Sequence, residues 1–199
     1  MNIIEDIFKV PVYSTQLNLD IKKLQSFCNK YQHKNTSKIR SNVGGYHSND
    51  LPLNEVSLHP LIKEINIHSS KFAKEFINNN EQVLGNMWFN ISLYKDFNKS
   101  HNHPLSNISG VYYVKTPDDC GNIVFEHPAI DVLNYYYSPT SLKEFNEYNS
   151  LTWWKPAIEN YLYLFPSWLK HYVQPNKNKT EERISISFNT DDIKILKEQ

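Results

Sequence analysis

From Val83 onward the chain is a succession of short apolar segments, each broken by Gly, Pro, Asn or Asp. They run Val83 to Tyr94, Ile108 to Lys115, Asn122 to Glu126, Leu151 to Trp154, Tyr161 to Phe165, His171 to Gln174 and Arg183 to Asn189. β-Branched and aromatic residues dominate them, which favours extended backbone. A parallel sheet would need a helix between successive strands, and regular helical patterns are missing here. Short strands at modest spacing therefore predict an antiparallel sandwich or barrel, a jelly roll.

The first eighty residues read differently. Ile7 to Tyr13 suits a short strand, with Pro11 pushing it to a sheet edge. Asn18 or Asp20 can cap a helix whose Ile21, Leu24, Phe27, Cys28 and Tyr31 share one face. The apolar pattern lapses between Asn35 and Pro52, where Gly44-Gly45 and Asn49-Asp50 signal a long loop. A second helix is predicted from Pro60 to about Asn78, with Leu61, Ile65, Phe72, Phe76 and Ile77 as its stripe. One domain over 1–199 is expected, mainly β with N-terminal helices: a strand and supporting helices in 1–80, then a barrel in 81–190. An insertion near 131–149 interrupts the strands and predicts a short helix at Ser141 to Tyr148, where a lid or a surface excursion would sit.

Charge narrows the function. The 21 basic residues balance 21 acidic ones, so no overall field recruits nucleic acid or anionic lipid. Cys28 and Cys120 are too few for a disulfide framework or a thiolate zinc site, and no run reaches the length of a membrane span. The expectation is a soluble, cytoplasmic protein. An edge strand near Ile7 could pair with a second copy, so a homodimer is possible.

Chemistry concentrates in two motifs. His101-Asn102-His103-Pro104 places two imidazoles at i and i+2 of an extended chain, on one side. With His171 from a distant strand they form a set of three that leaves positions open on a transition metal, the mark of a catalytic site. Read alone, the pair is equally at home as two loop histidines, and His171 as a half-buried ring. Arg183, Ser185 and Ser187 share one face of the last strand, opposite Ile184, Ile186 and Phe188. One face can bury under the helices. The other offers hydroxyls and one guanidinium, which suits a carboxylate. Tyr94 and Tyr113 could add phenol hydrogen bonds, or be ordinary core residues.

In that order, with Ser109-Gly110-Val111-Tyr112-Tyr113-Val114 after the first motif and Phe165-Pro166-Ser167-Trp168-Leu169-Lys170-His171 before the second, the chain resembles the iron(II) and 2-oxoglutarate-dependent oxygenases. The likeness spans roughly Ser41 to Asn189 and is similar to a small bacterial and phage group. It implies a cupin-like double-stranded β-helix, with His101 and His171 as metal ligands and His103 where the wider superfamily has Asp or Glu. It further implies Arg183 on the distal carboxylate of 2-oxoglutarate, with Ser185, Tyr113 and more weakly Tyr94 assisting. Iron(II), O2 and 2-oxoglutarate would be consumed in hydroxylating a small-molecule or peptidyl substrate, with succinate released. His103 leaves the site one charge more positive, or leaves room for a carboxylate such as Glu126. A three-histidine cupin-type dioxygenase without 2-oxoglutarate and a non-catalytic jelly-roll binding module are the competing readings. Trp153, Trp154, Trp168 and Tyr135 to Tyr137 are expected to line part of the barrel mouth, or equally to belong to the core.

Overall fold

The computed structural model describes residues 7–136 and 142–193. Its centre is a pair of antiparallel sheets built in the order the segments predict. Strands β1 (Tyr13–Gln16), β2 (Asn42–Val43), β3 (Tyr46–His47), β4 (Gln82–Ser92), β5 (Phe97–His101) and β6 (Ile108–Lys115) come first. β7 (Ile123–Glu126), β8 (Thr152–Lys155), β9 (Tyr161–Pro166), β10 (His171–Val173) and β11 (Arg183–Asp192) follow. The larger sheet has the order β1-β9-β6-β11-β4-β3 and the smaller β2-β5-β10-β7-β8. From β4 to β7, and again from β8 to β11, sequential strands alternate between sheets, as in a jelly roll.

Helices α1 (Ile21–Lys34) and α2 (His59–Ala73) cover the outer face of the larger sheet, α1 against β6 and α2 against β4. Asp20 caps α1, its carboxylate accepting from the Lys23 amide at 3.0 Å, and Pro60 occupies the first turn of α2. Their stripes meet Met87, Phe89 and Ile91 of β4 and Ile184, Ile186 and Phe188 of β11 in one buried cluster. A second, smaller cluster lies between the sheets and contains Val111, Tyr113, Phe125, Tyr163 and Phe165. Period-2 alternation therefore divides each central strand between helix side and barrel interior.

Gly110 shows how tightly the helix side is filled. A Cβ there would meet Phe188 Cζ at 2.3 Å and Leu164 Cδ2 at 2.8 Å. Gly110→Ala should cost about 1–3 kcal/mol by overpacking, read as a lowered urea midpoint with an unchanged slope. A midpoint equal to wild type would show that Phe188 moves aside freely.

Four local expectations are corrected. Ile7 to Val12 is not strand, because pairing with β9 begins only at Tyr13↔Leu164, so the edge proposed for dimer contact is absent there. Helix α2 stops at Ala73, and residues 74–77 form turns. The predicted loop of 35–52 contains β2 and β3, linked by Gly44 and Gly45 at φ +72 and +64. Positive φ lets the chain cross between sheets beside the Asp96 carboxylate, which a Cβ at Gly44 would strike. The helix expected at Ser141 to Tyr148 is not formed over 142–148. It is displaced to α3 (Ile130–Tyr136), where Asp131 in the first turn favours the helix dipole. Ser141 itself and the Tyr135 to Tyr137 side chains lie outside the described part.

Candidate metal centre and anion pocket

His101 ends β5 and His171 opens β10, and the two are direct partners across the smaller sheet. Simple alternation would place His101 opposite to Asn98. Instead Val173 pairs with Asn98 while His171 pairs with His101, so β5 holds one extra residue. That bulge turns His101 inward, beside Asn98 on the cavity wall. His103 lies past the strand end, where its amide donates to the Ser167 carbonyl at 2.9 Å. Ser109 donates its single hydroxyl proton to Asn189 Oδ1 at 2.7 Å and so accepts from Ser167 Oγ, 2.8 Å away. The segment before His171 thus anchors the chain carrying His103.

The three rings converge. Centroids are 4.4 Å apart for His101 and His171, 5.0 Å for His101 and His103, and 5.2 Å for His103 and His171. Each offers one nitrogen within 4.8 Å of the other two. His101 Nδ1 donates to Lys99 O at 2.7 Å and His171 Nδ1 to Leu169 O at 2.9 Å. A carbonyl only accepts, so both rings carry the proton on Nδ1 and present the Nε2 lone pair. Burial lowers the pKa of all three: His103 is brought down to about 4 by desolvation and by His101, and His171 falls well below its usual value. The cluster is neutral at pH 7, the form that binds a metal.

On the interior face of the larger sheet, cross-strand pairs set out rows. His47, Asn90, Ser185 and Tyr113 form one row. Trp88, Ser187 and Val111 lie on the side toward the histidines, and Ser92 with Arg183 on the other. The guanidinium is 1% exposed. It donates to Cys120 O, to Gln174 O at 3.2 Å and to Ser92 Oγ at 3.2 Å. Among the described residues no carboxylate lies within ion-pair distance of it. Tyr113 Oη and Asn90 Oδ1 are buried without a hydrogen-bond partner. A lone buried cation beside an orphaned hydroxyl is costly unless something anionic completes it.

One cavity joins most of these elements: His101, His103, His171, Tyr113 and Ser185 all line it, whereas Arg183 is not among its lining residues. Tyr94 is not brought to it. β4 ends at Ser92, Asp96 takes the Leu93 amide at 2.7 Å, and Tyr94 turns outward to 43% exposure beneath Lys95. Glu126 does not join the histidine group. Trp153, Trp154 and Trp168 are 48%, 57% and 53% exposed and stand outside the lining, whose aromatics are Trp88, Tyr113 and Phe165. Trp88, Asn90 and Asn98 were not singled out from the sequence. Extending the two-residue alternation to β4 would have placed Trp88, Asn90 and Ser92 on the interior face.

Fold and site together define a jelly-roll protein in which three histidine nitrogens converge on one cavity, with a buried arginine beside it on the last strand. Residues 86–189, just over half of the 199, match the family described as "Putative 2OG-Fe(II) oxygenase", and the chain belongs to that family. It is a 2OG-Fe(II) oxygenase, whose cofactors are iron and 2-oxoglutarate. A Pseudomonas putida prolyl-4-hydroxylase has a similar fold at 12% identity, covering 92% of this chain and 93% of that one, with a TM-score of 0.65. HygX from Streptomyces hygroscopicus, with nickel and 2-oxoglutarate bound, is similar at 8% identity, 92% and 84% coverage and a TM-score of 0.61. A viral collagen prolyl hydroxylase from Paramecium bursaria Chlorella virus-1, in complex with 2OG, matches at 10% identity, 90% and 94% coverage and a TM-score of 0.58. No curated protein sequence matches. Among the described residues no helix is long and apolar enough to cross a membrane.

Proposed function

We propose that this oxygenase is a hydroxylase that consumes 2-oxoglutarate, with His101, His103 and His171 holding iron(II) and Arg183 holding the distal carboxylate of the cosubstrate. The observation that carries the reading is the single cavity lined by three neutral imidazoles, with an unpaired buried guanidinium behind Tyr113. The residues fit both groups. Imidazole nitrogens suit iron(II), and Tyr113 Oη needs a partner that an anion beside Arg183 provides.

When bound, iron and 2-oxoglutarate supply oxygen activation coupled to decarboxylation, with succinate released and a hydroxyl left on the substrate. The chain's own part is positioning. Lys99 O and Leu169 O fix the Nε2 tautomers of His101 and His171. Cys120 O, Gln174 O and Ser92 Oγ hold the Arg183 fork in one orientation, Ser185 offers a hydroxyl at the next row, and Tyr113 Oη on the third strand is left free to donate to an anion. Phe165 and Phe125 pack on His171 and exclude water from that flank.

We read residues 1–199 as one domain, and the buried free thiols Cys28 and Cys120 favour a reducing, cytoplasmic setting. The substrate is a small molecule or peptide that reaches the face carrying Asn90 and Asn98. Anaerobic addition of iron(II) and 2-oxoglutarate should produce a weak visible charge-transfer band, and aerobic turnover should release succinate when a substrate panel is screened. Oxygen uptake without 2-oxoglutarate would instead support a cosubstrate-free three-histidine dioxygenase. Absence of stoichiometric metal, with no thermal shift on adding iron or manganese, would support a binding module.

A further inference from the structure

His101 and His171 are each aimed by a backbone carbonyl, but among the described residues the His103 ring has no hydrogen-bond partner. Its orientation must come from packing. Trp88 lies against it at 5.5 Å between centroids and 42° between planes. His47 also packs on Trp88, at 6.0 Å and only 9° from parallel. His47 is itself pinned, with Nδ1 donating to Ser48 O at 2.8 Å. Ser48 is locked to β4, accepting from the Phe89 amide through Oγ and donating its own amide to Phe89 O, each at 3.0 Å. Opposite Trp88 stands Ser187, small enough to leave the indole room. A chain of ring contacts, stacked between His47 and Trp88 and tilted between Trp88 and His103, therefore runs from the backbone of β4 through two buried rings to one imidazole of the cluster.

We propose that Trp88, backed by His47, is the positioning residue for His103. It replaces by ring packing the orientation that hydrogen bonds give the other two histidines. The inference rests on the metal-centre reading above. Orientation of a ligand by its neighbours commonly changes metal affinity by about 10- to 100-fold. Stacking is less directional than a hydrogen bond, so the effect here belongs near the lower end.

Cobalt(II) titration of the metal-free protein tests this without turnover, because the d–d spectrum reports ligand number and geometry while the titration gives affinity. Trp88→Leu should bind cobalt about 10-fold more weakly with an altered band. Trp88→Phe, which keeps a ring on His103, should recover most of both. In a His103→Ala background, Trp88→Leu should cause no further loss, since nothing remains to position. Wild-type affinity and spectrum in Trp88→Leu would overturn the proposal, as would a full additional loss in the His103→Ala background. Should Trp88→Leu fail to fold, His47→Leu leaves the indole in place. It should give a smaller loss that also vanishes without His103, and an unchanged titration there would overturn the proposal equally. A wild-type protein that binds no cobalt would remove the metal centre itself, an outcome distinct from a wild type that binds and a Trp88→Leu variant that matches it.

Discussion

Arg183→Ala is expected to lower affinity for 2-oxoglutarate by about 100-fold or more, because hydrogen bonds to charged groups are each worth about 1.5–3 kcal/mol and the guanidinium supplies a fork of them. The side chain is 1% exposed with no acidic partner among the described residues, so its charge is not already neutralised from within. Folding should suffer less than binding. The substitution strands Cys120 O, Gln174 O and Ser92 Oγ without their donor. It also removes the desolvation cost of a buried cation, and these effects oppose each other. The measurement is the thermal shift on adding 2-oxoglutarate to protein loaded with manganese. It should be clear in wild type, weak in Arg183→Lys and missing in Arg183→Ala. Lysine keeps a charge but loses the planar fork, so an intermediate value separates geometry from charge. An undiminished shift in Arg183→Ala would mean that the anion binds elsewhere in the cavity.

How far the sequence announces this site depends on what holds each strand in place. β6 is formed over the span its apolar pattern marks, Ile108 to Lys115, since alternation there coincides with burial on both faces. β11 was legible for the same reason, and the division of Ile184, Ile186 and Phe188 from Arg183, Ser185 and Ser187 survives in the fold. β5 was not. Phe97-Asn98-Lys99-Ser100-His101 is too polar to read as a strand, and it exists because β2 and β10 pair with it on either side. The inward aim of His101 depends on a bulge, which no two-residue periodicity can foretell. Tyr94 misled for a related reason: the strand pattern continues past Ser92, but the Asp96 carboxylate captures the Leu93 amide and ends it. Trp153 and Trp154, expected at the mouth, stand exposed because β8 is an edge strand with little packed against it. From Val83 on, local composition marked most strands as extended, β5 excepted. The partner strands decided which way its side chains face.

His171→Ala should abolish stoichiometric metal binding, with apparent affinity lower by at least about 100-fold, since three ligands become two and the most enclosed is lost. His171 is 4% exposed and in contact with both other rings, as well as Phe165 and Phe125. Calorimetry with manganese would read the loss directly, and His171→Gln would ask whether a neutral polar side chain of similar reach can substitute. The pH dependence of wild-type binding supplies an independent check. Free histidines near pH 6.5 would begin to lose metal to protons just below neutrality. Here burial pushes all three imidazoles down, His103 to about 4 and His171 well below its usual value, so protons compete for the cluster only at lower pH than they would for free histidines. Affinity should therefore begin to fall at a lower pH than free histidines would give, with little proton release on binding at neutral pH. A decline centred on pH 6.5 would show that the cluster is hydrated in the metal-free protein. The neutral, preorganised triad would then be a product of metal binding rather than of the fold.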